Sequence, residues 1–192
     1  MNWIKKSPTV QTAGLILVAF IIQKVGLFAG LFTIHQVYLA LPVELNPWTV
    51  LTSVYAHGGP GHLIDNLIAL VIFGLLVERV TTLTRYHAFF ITTGVVAGLA
   101  EVFVGAAFGA EVLVVGASGA IFGLMGYFLT GNVAVRGLFD SVNVGWKGKM
   151  LTVIVISVLI TVMTAGENVA LVAHATGLII GGVCGFFKIL HK

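Results

Sequence analysis

The stretch VVGASGAIFGLMG, residues 114–126, places the hydroxyl of Ser118 between Gly116 and Gly119 in otherwise apolar surroundings. A serine is a weak nucleophile at its own pKa, so it needs a base to take its proton during attack and return it to the leaving group. His174, in LVAHATGLIIGG, is the candidate base. Acyl transfer also needs donors for a developing oxyanion. The backbone N–H of Ser118 at the start of a helix is one, and His62 and Asn66, four residues apart and so on one helix face, offer two more. Each residue also has a plainer reading. A serine in a membrane helix commonly bonds its own carbonyl a turn back, and glycines let helices pack. His57, His62 and His174 are three nitrogens that in principle surround zinc, but no HExxH pattern or cysteine pair accompanies them. No metal and no cofactor is expected. His35, His87 and His191 lie near interfaces or ends and are assigned no chemistry.

The elements that must carry these groups sit in lipid. The 192 residues are 58% hydrophobic and 9% charged, a composition outside the range of ordinary soluble domains. Six apolar runs approach the length that a bilayer requires, over 9–31, 62–83, 86–108, 112–131, 149–165 and 168–188. The first is too long for a cleaved signal peptide, so it counts as a span. These runs leave no soluble domain: residues 1–192 read as one all-α integral membrane domain. Cys184 is the only cysteine and supports no intrachain disulfide.

Charge gives the orientation. Lys5, Lys6, Arg79, Arg85, Arg136, Lys147, Lys149, Lys188 and Lys192 fall on one side if the chain crosses six times, and Glu44, Glu111 and Glu167 on the other. Both termini are therefore expected in the cytoplasm, in a cell (inner) membrane. The net charge of +3 marks topology rather than a nucleic-acid partner. Lys24, in the outer half of the first span, is read as snorkelling. The long connection 32–61 mixes aromatic, aliphatic and proline residues, which predicts a half-embedded loop with Trp48 and Tyr55 as interfacial anchors.

In this topology Ser118, His174, His62 and Asn66 fall at similar depth in the outer leaflet, on three different helices. Gly119 and Gly123 form one GxxxG pair, and Gly177, Gly181 and Gly185 continue the spacing below His174. Spans 4 and 6 thus each own a face for close approach, which would bring imidazole to hydroxyl. No acidic residue stands out to orient His174, whether Asp65, Glu101 or Glu167, so a dyad is the economical arrangement. Glu78, beside Arg79, is read as tying the cytoplasmic turn.

Gly116-Ala117-Ser118-Gly119, Ala173-His174-x-x-Gly177-x-x-x-Gly181 and His57-x4-His62-x3-Asn66 together resemble the rhomboid intramembrane serine proteases. The resemblance extends over nearly all six spans. It implies a six-transmembrane-helix bundle with Ser118 as nucleophile and His174 as general base. His62, Asn66 and the Ser118 and Gly119 amides would form the oxyanion site, with Phe122, His57, Gly116 and Gly177 in support. The implied substrates are transmembrane segments of other proteins, cut near their outer end. Two positions depart from the family: Thr49 follows Trp48 where arginine is frequent, and Phe122 stands where tyrosine is frequent. The alternatives are a catalytically inactive rhomboid-like protein that binds other membrane proteins and, more remotely, a small transporter. A transporter's inverted repeats and midplane charges are not found in the sequence.

Overall fold

A computed structural model describes residues 6–132, 137, 145–163 and 170–192. Ser7 opens the first helix, α1 (Pro8–Phe28), its Oγ accepting from the Val10 N–H at 3.2 Å while Pro8 occupies a position that needs no N–H. A short helix, α2 (Thr49–Thr52), precedes α3 (Pro60–Glu78), which again starts on a proline. Thr82 caps α4 (Leu83–Ala107) through the Arg85 N–H. Then follow α5 (Ser118–Gly131), α6 (Trp146–Met163) and α7 (Leu171–Phe186). Of these, α1, α3 and α4 are long and apolar enough to cross a membrane, and α5 and α7 are shorter apolar helices.

Large apolar side chains lie outside as well as inside. Leu15, Val18, Ile22 and Val25 recur at helical spacing on an exposed face of α1, and Ile64, Ile68, Val71 and Ile72 do so on α3. Faces of this kind suit lipid. The interior is built from Leu70, Val77, Tyr86, Phe90, Leu124 and Tyr127, all essentially inaccessible.

Glycine sets how closely the central helices approach. A Cβ on Gly177 would collide with the Gly119 carbonyl, one on Gly181 with the Gly123 carbonyl, and one on Gly126 with the Leu178 carbonyl. α5 and α7 therefore meet backbone to backbone, and Thr130 Oγ1 stitches the seam by donating to the Gly182 carbonyl at 2.7 Å. The glycine faces read from spacing thus form one contact.

The helix carrying Ser118 starts later than the apolar run that begins at 112. Val114 pairs with Leu39 in an isolated antiparallel bridge, the Gly116 N–H donates to the Ser53 carbonyl at 2.9 Å, and Gly116 takes φ +124. These ties hold residues 112–116 extended and postpone the helix to Ser118 itself. Part of the long connection turns inward. Val37, Leu39, Val54 and Ala56 are buried, and Tyr55, expected at the interface, packs its ring 6.2 Å from Phe90. Trp48 stays half exposed and donates its indole N–H to the Gln36 carbonyl at 2.9 Å.

One end of the bundle collects basic residues. Arg85 donates to the His191 carbonyl, and the Lys192 N–H donates to the Val80 carbonyl at 3.0 Å. Glu78 does more than tie its own turn: its Oε2 accepts from Ser7 Oγ at 2.7 Å and from the Thr9 N–H at 3.2 Å, closing the start of α1. Lys6, Arg79, Arg85, Lys188 and Lys192 thereby fall near one end. Lys5, Arg136 and Glu167 lie outside the described residues.

Candidate active site

Ser118 is the first residue of α5, preceded by Ala117, whose side chain caps nothing. The first intrahelical bond of this helix is donated by Ile121 to the Ala117 carbonyl. The N–H groups of the opening turn are thus free of a side-chain cap, and the positive end of the helix lies at the serine. Elsewhere, helical hydroxyls bond the carbonyl a turn back: Thr12 to Pro8, Thr52 to Trp48, Thr92 to Ala88, Thr130 to Gly126 and Thr152 to Gly148. Ser118 has no helical turn before it to bond. Its hydroxyl takes no protein hydrogen bond among the described residues, and the side chain is half-buried.

Ser118 and His174 line the same cavity, of about 840 Å³, together with His62, Asn66, Asp65 and Phe122. Its rim includes the exposed residues Gly58, Gly61, Asp65 and Leu113, so it opens at the protein surface. A space of this size holds many waters at about 30 Å³ each. His174, buried, lies flat against Phe122 with ring centroids 4.0 Å apart and planes 13° apart. Phe122 is one turn along from Ser118, so α5 supplies both the hydroxyl and the surface on which the imidazole rests. His174 Nδ1 is buried and has no partner among the described residues.

His62 and Asn66 reach the cavity from α3. Asn66 Nδ2 donates to the His62 carbonyl at 2.8 Å, using one of its two hydrogens, and Asn66 Oδ1 is buried with no partner among the described residues. Gly116, two residues before the serine, is where His62 comes close: a Cβ there would lie 2.6 Å from His62 Cε1. The imidazole fills the space that a side chain would take. Gly119 and Gly177 do not line the cavity; they belong to the seam behind it.

His57 stands outside the cavity wall, fully buried, with its ring 5.2 Å from that of His62. Its Nδ1 lies 3.1 Å from the Tyr55 carbonyl, which fixes the proton on Nδ1 and leaves Nε2 a buried acceptor with no partner among the described residues. Burial, and then the charge of His62, push its pKa down to about 4, so the ring is neutral. Its backbone is clasped twice by Gln23 of α1, which accepts from the His57 N–H at 2.9 Å and donates to its carbonyl at 2.8 Å. Lys24, rather than only snorkelling, donates to the Gly58 carbonyl at 3.1 Å. The rim of the cavity is thus fastened to α1.

Gln23 was passed over by sequence reasoning, and Glu101 was weighed there as a partner for His174 and set aside. Glu101 Oε2 accepts from the Ala173 N–H at 2.7 Å, beside His174. The signal for both was a polar side chain within an apolar span, where such groups are costly unless used. Among the described residues no group of three or more His, Cys, Asp or Glu side chains has the arrangement to hold a metal ion.

Comparison with known proteins gives one family and several distant relatives. The family model described as Rhomboid domain matches residues 44–191. RHOMBOID-like protein 5 of Arabidopsis thaliana is 28% identical over 144 residues, 75% of this chain and 45% of that protein. The rhomboid protein YdcA of Bacillus subtilis (strain 168) is 24% identical over 145 residues, 76% of this chain and 69% of its own. RHOMBOID-like protein 4 of Arabidopsis thaliana is 27% identical over 151 residues, 75% of this chain and 34% of that protein. The chain therefore spans less than half the length of the two plant relatives.

Proposed function

This chain belongs to the rhomboid family, and from that premise we propose that it is an intramembrane serine endopeptidase. The observation that carries the reading is the shared cavity: an unbonded hydroxyl at an uncapped helix start and a buried imidazole stacked one turn away line the same space. Ser118 Oγ attacks the peptide carbonyl carbon while its proton passes to His174. Proton transfer falls to Nε2, because Nδ1 is enclosed. The oxyanion is stabilised by the Ser118 N–H and by Asn66 and His62 from α3; Gly119, expected to share this role, belongs to the seam behind the cavity. Collapse breaks the C–N bond, His174 protonates the departing amine, and the acyl half remains as an ester on Ser118. Water then attacks the ester, giving its proton to His174, which returns it to Ser118 as the acid leaves.

The surroundings fit this chemistry. We read the chain as a single membrane domain crossing six times, with α1, α3, α4, α5, α6 and α7 as the crossings and the connection 32–61 half embedded. The cavity then faces outward, and both termini lie on the cytoplasmic side of a cell membrane with the basic end of the bundle. The substrates are transmembrane segments of other proteins, unwound near their outer end where water reaches Ser118.

A fluorophosphonate probe tests the assignment. Labelling of folded wild type, abolished in Ser118→Ala, is the expected result. Folded wild type that stays unlabelled would instead favour an inactive rhomboid-like binding protein.

A further inference from the structure

We infer that Glu101 is a positioning residue for His174, holding the first turn of α7 where the imidazole can serve as base; the inference rests on the protease reading above. Glu101 lies within α4, in a helix long and apolar enough to cross a membrane. A half-buried carboxylate there is costly unless it is partnered. Its partner is the Ala173 N–H, at 2.7 Å, in the range of a charge-assisted hydrogen bond.

That N–H is one a helix cannot satisfy by itself. α7 begins at Leu171, and its N-cap residue, Ala170, has no side chain able to accept. Ala173 is the third residue of the helix, whose N–H an N-cap oxygen ordinarily receives. Here the oxygen comes from a different helix, and its negative charge sits at the positive end of α7. His174 is the next residue, its own N–H donating to the Ala170 carbonyl at 3.0 Å. The carboxylate thus holds the backbone from which the imidazole projects.

The rest of α4 sharpens the role. Thr93, Ala97 and Glu101 follow one another at four-residue intervals on one face. A Cβ on Gly123 would meet Thr93, and one on Gly119 would meet Ala97. α4 thus touches the junction of α5 and α7 at successive heights: by packing at the first two, by a hydrogen bond at the third, level with His174. Phe122 fixes the plane of the imidazole from α5. Glu101 fixes its backbone from α4. Glu101 does not line the cavity, so it acts through Ala173 rather than on substrate.

The test compares Glu101→Ala, Glu101→Gln and Glu101→Asp in the full chain, in detergent, well below the melting temperature of each. The readouts are the rate of fluorophosphonate labelling at Ser118 and kcat and KM on a transmembrane peptide. Glu101→Ala is expected to lower labelling and kcat about 10- to 100-fold with KM unchanged, as a small misplacement of a reacting group does. Glu101→Gln keeps an accepting oxygen at the same reach and is expected to recover most of the rate. Glu101→Asp, one methylene short, is expected to lose rate while folded, which covers an Ala variant that fails to fold. Folded Ala or Asp variants labelled as fast as wild type would overturn the inference alone, as would a Gln variant no better than Ala. Folded wild type that is never labelled overturns the protease reading and the inference with it.

Discussion

The hydroxyl of Ser118 owes its freedom to its place at the first position of a helix. A serine one turn later would find a carbonyl to bond, as Thr130 does. His174 is held by a ring stack and by its own backbone, so removing the imidazole leaves the helices in place. His174→Ala is expected to abolish cleavage while the purified protein keeps its helical circular dichroism and elutes as wild type does. On the protease reading, Asn66→Ala removes one proposed oxyanion donor among several and is expected to lower kcat by about 10² to 10³ with KM nearly unchanged. Steady-state kinetics on a transmembrane peptide separate the two. The four polar groups were legible in the sequence because each is expensive in an apolar helix. Gln23 and Glu101 were legible by the same rule, but their targets are backbone groups far along the chain, which no spacing announces.

At the scale of elements, the α5–α7 seam decides the geometry. Gly181→Val would drive a side chain into the Gly123 carbonyl. Overpacking of this kind costs about 1–3 kcal/mol, and here the obstacle is backbone, which yields least. The expected result is a lower melting temperature in detergent together with lost activity. Gly14→Ala, where an added Cβ has nothing among the described residues within 4 Å, serves as the control and is expected to melt as wild type or slightly higher. The seam was readable from glycines at four-residue intervals, because that spacing lays them along one helix face. The delayed start of α5 was not. An apolar run from 112 looks helical until Leu39 and Ser53, far earlier in the chain, claim the backbone of Val114 and Gly116. Tyr55 went inward for a similar reason: the loop it belongs to wraps over Phe90, which an interfacial preference does not foresee.

For the molecule as a whole, pH provides a measurable handle. His57 has its pKa lowered from 6.5 to about 4 by burial and by the charge of His62. Between those values the unfolded chain binds a proton that the folded chain refuses, so stability rises with pH across this window. The contribution is complete above about pH 6.5 and is lost as pH falls toward 4, by up to about 3 kcal/mol. His57→Asn keeps a donor for the Tyr55 carbonyl but does not titrate. Its melting temperature is expected to fall less between pH 7 and pH 4 than that of wild type. Composition alone assigned the chain to a membrane, and the segregation of basic residues anticipated an end of the bundle that the Glu78, Arg85 and Lys192 contacts gather together.

The backbone contact between Gly119 and Gly177 also bears on traffic. Parting those helices would bare carbonyls to hydrocarbon and separate the two cavity walls that carry Ser118 and His174. On the protease reading, a substrate helix entering along this seam would have to break that contact, so the seam is expected to stay shut during entry.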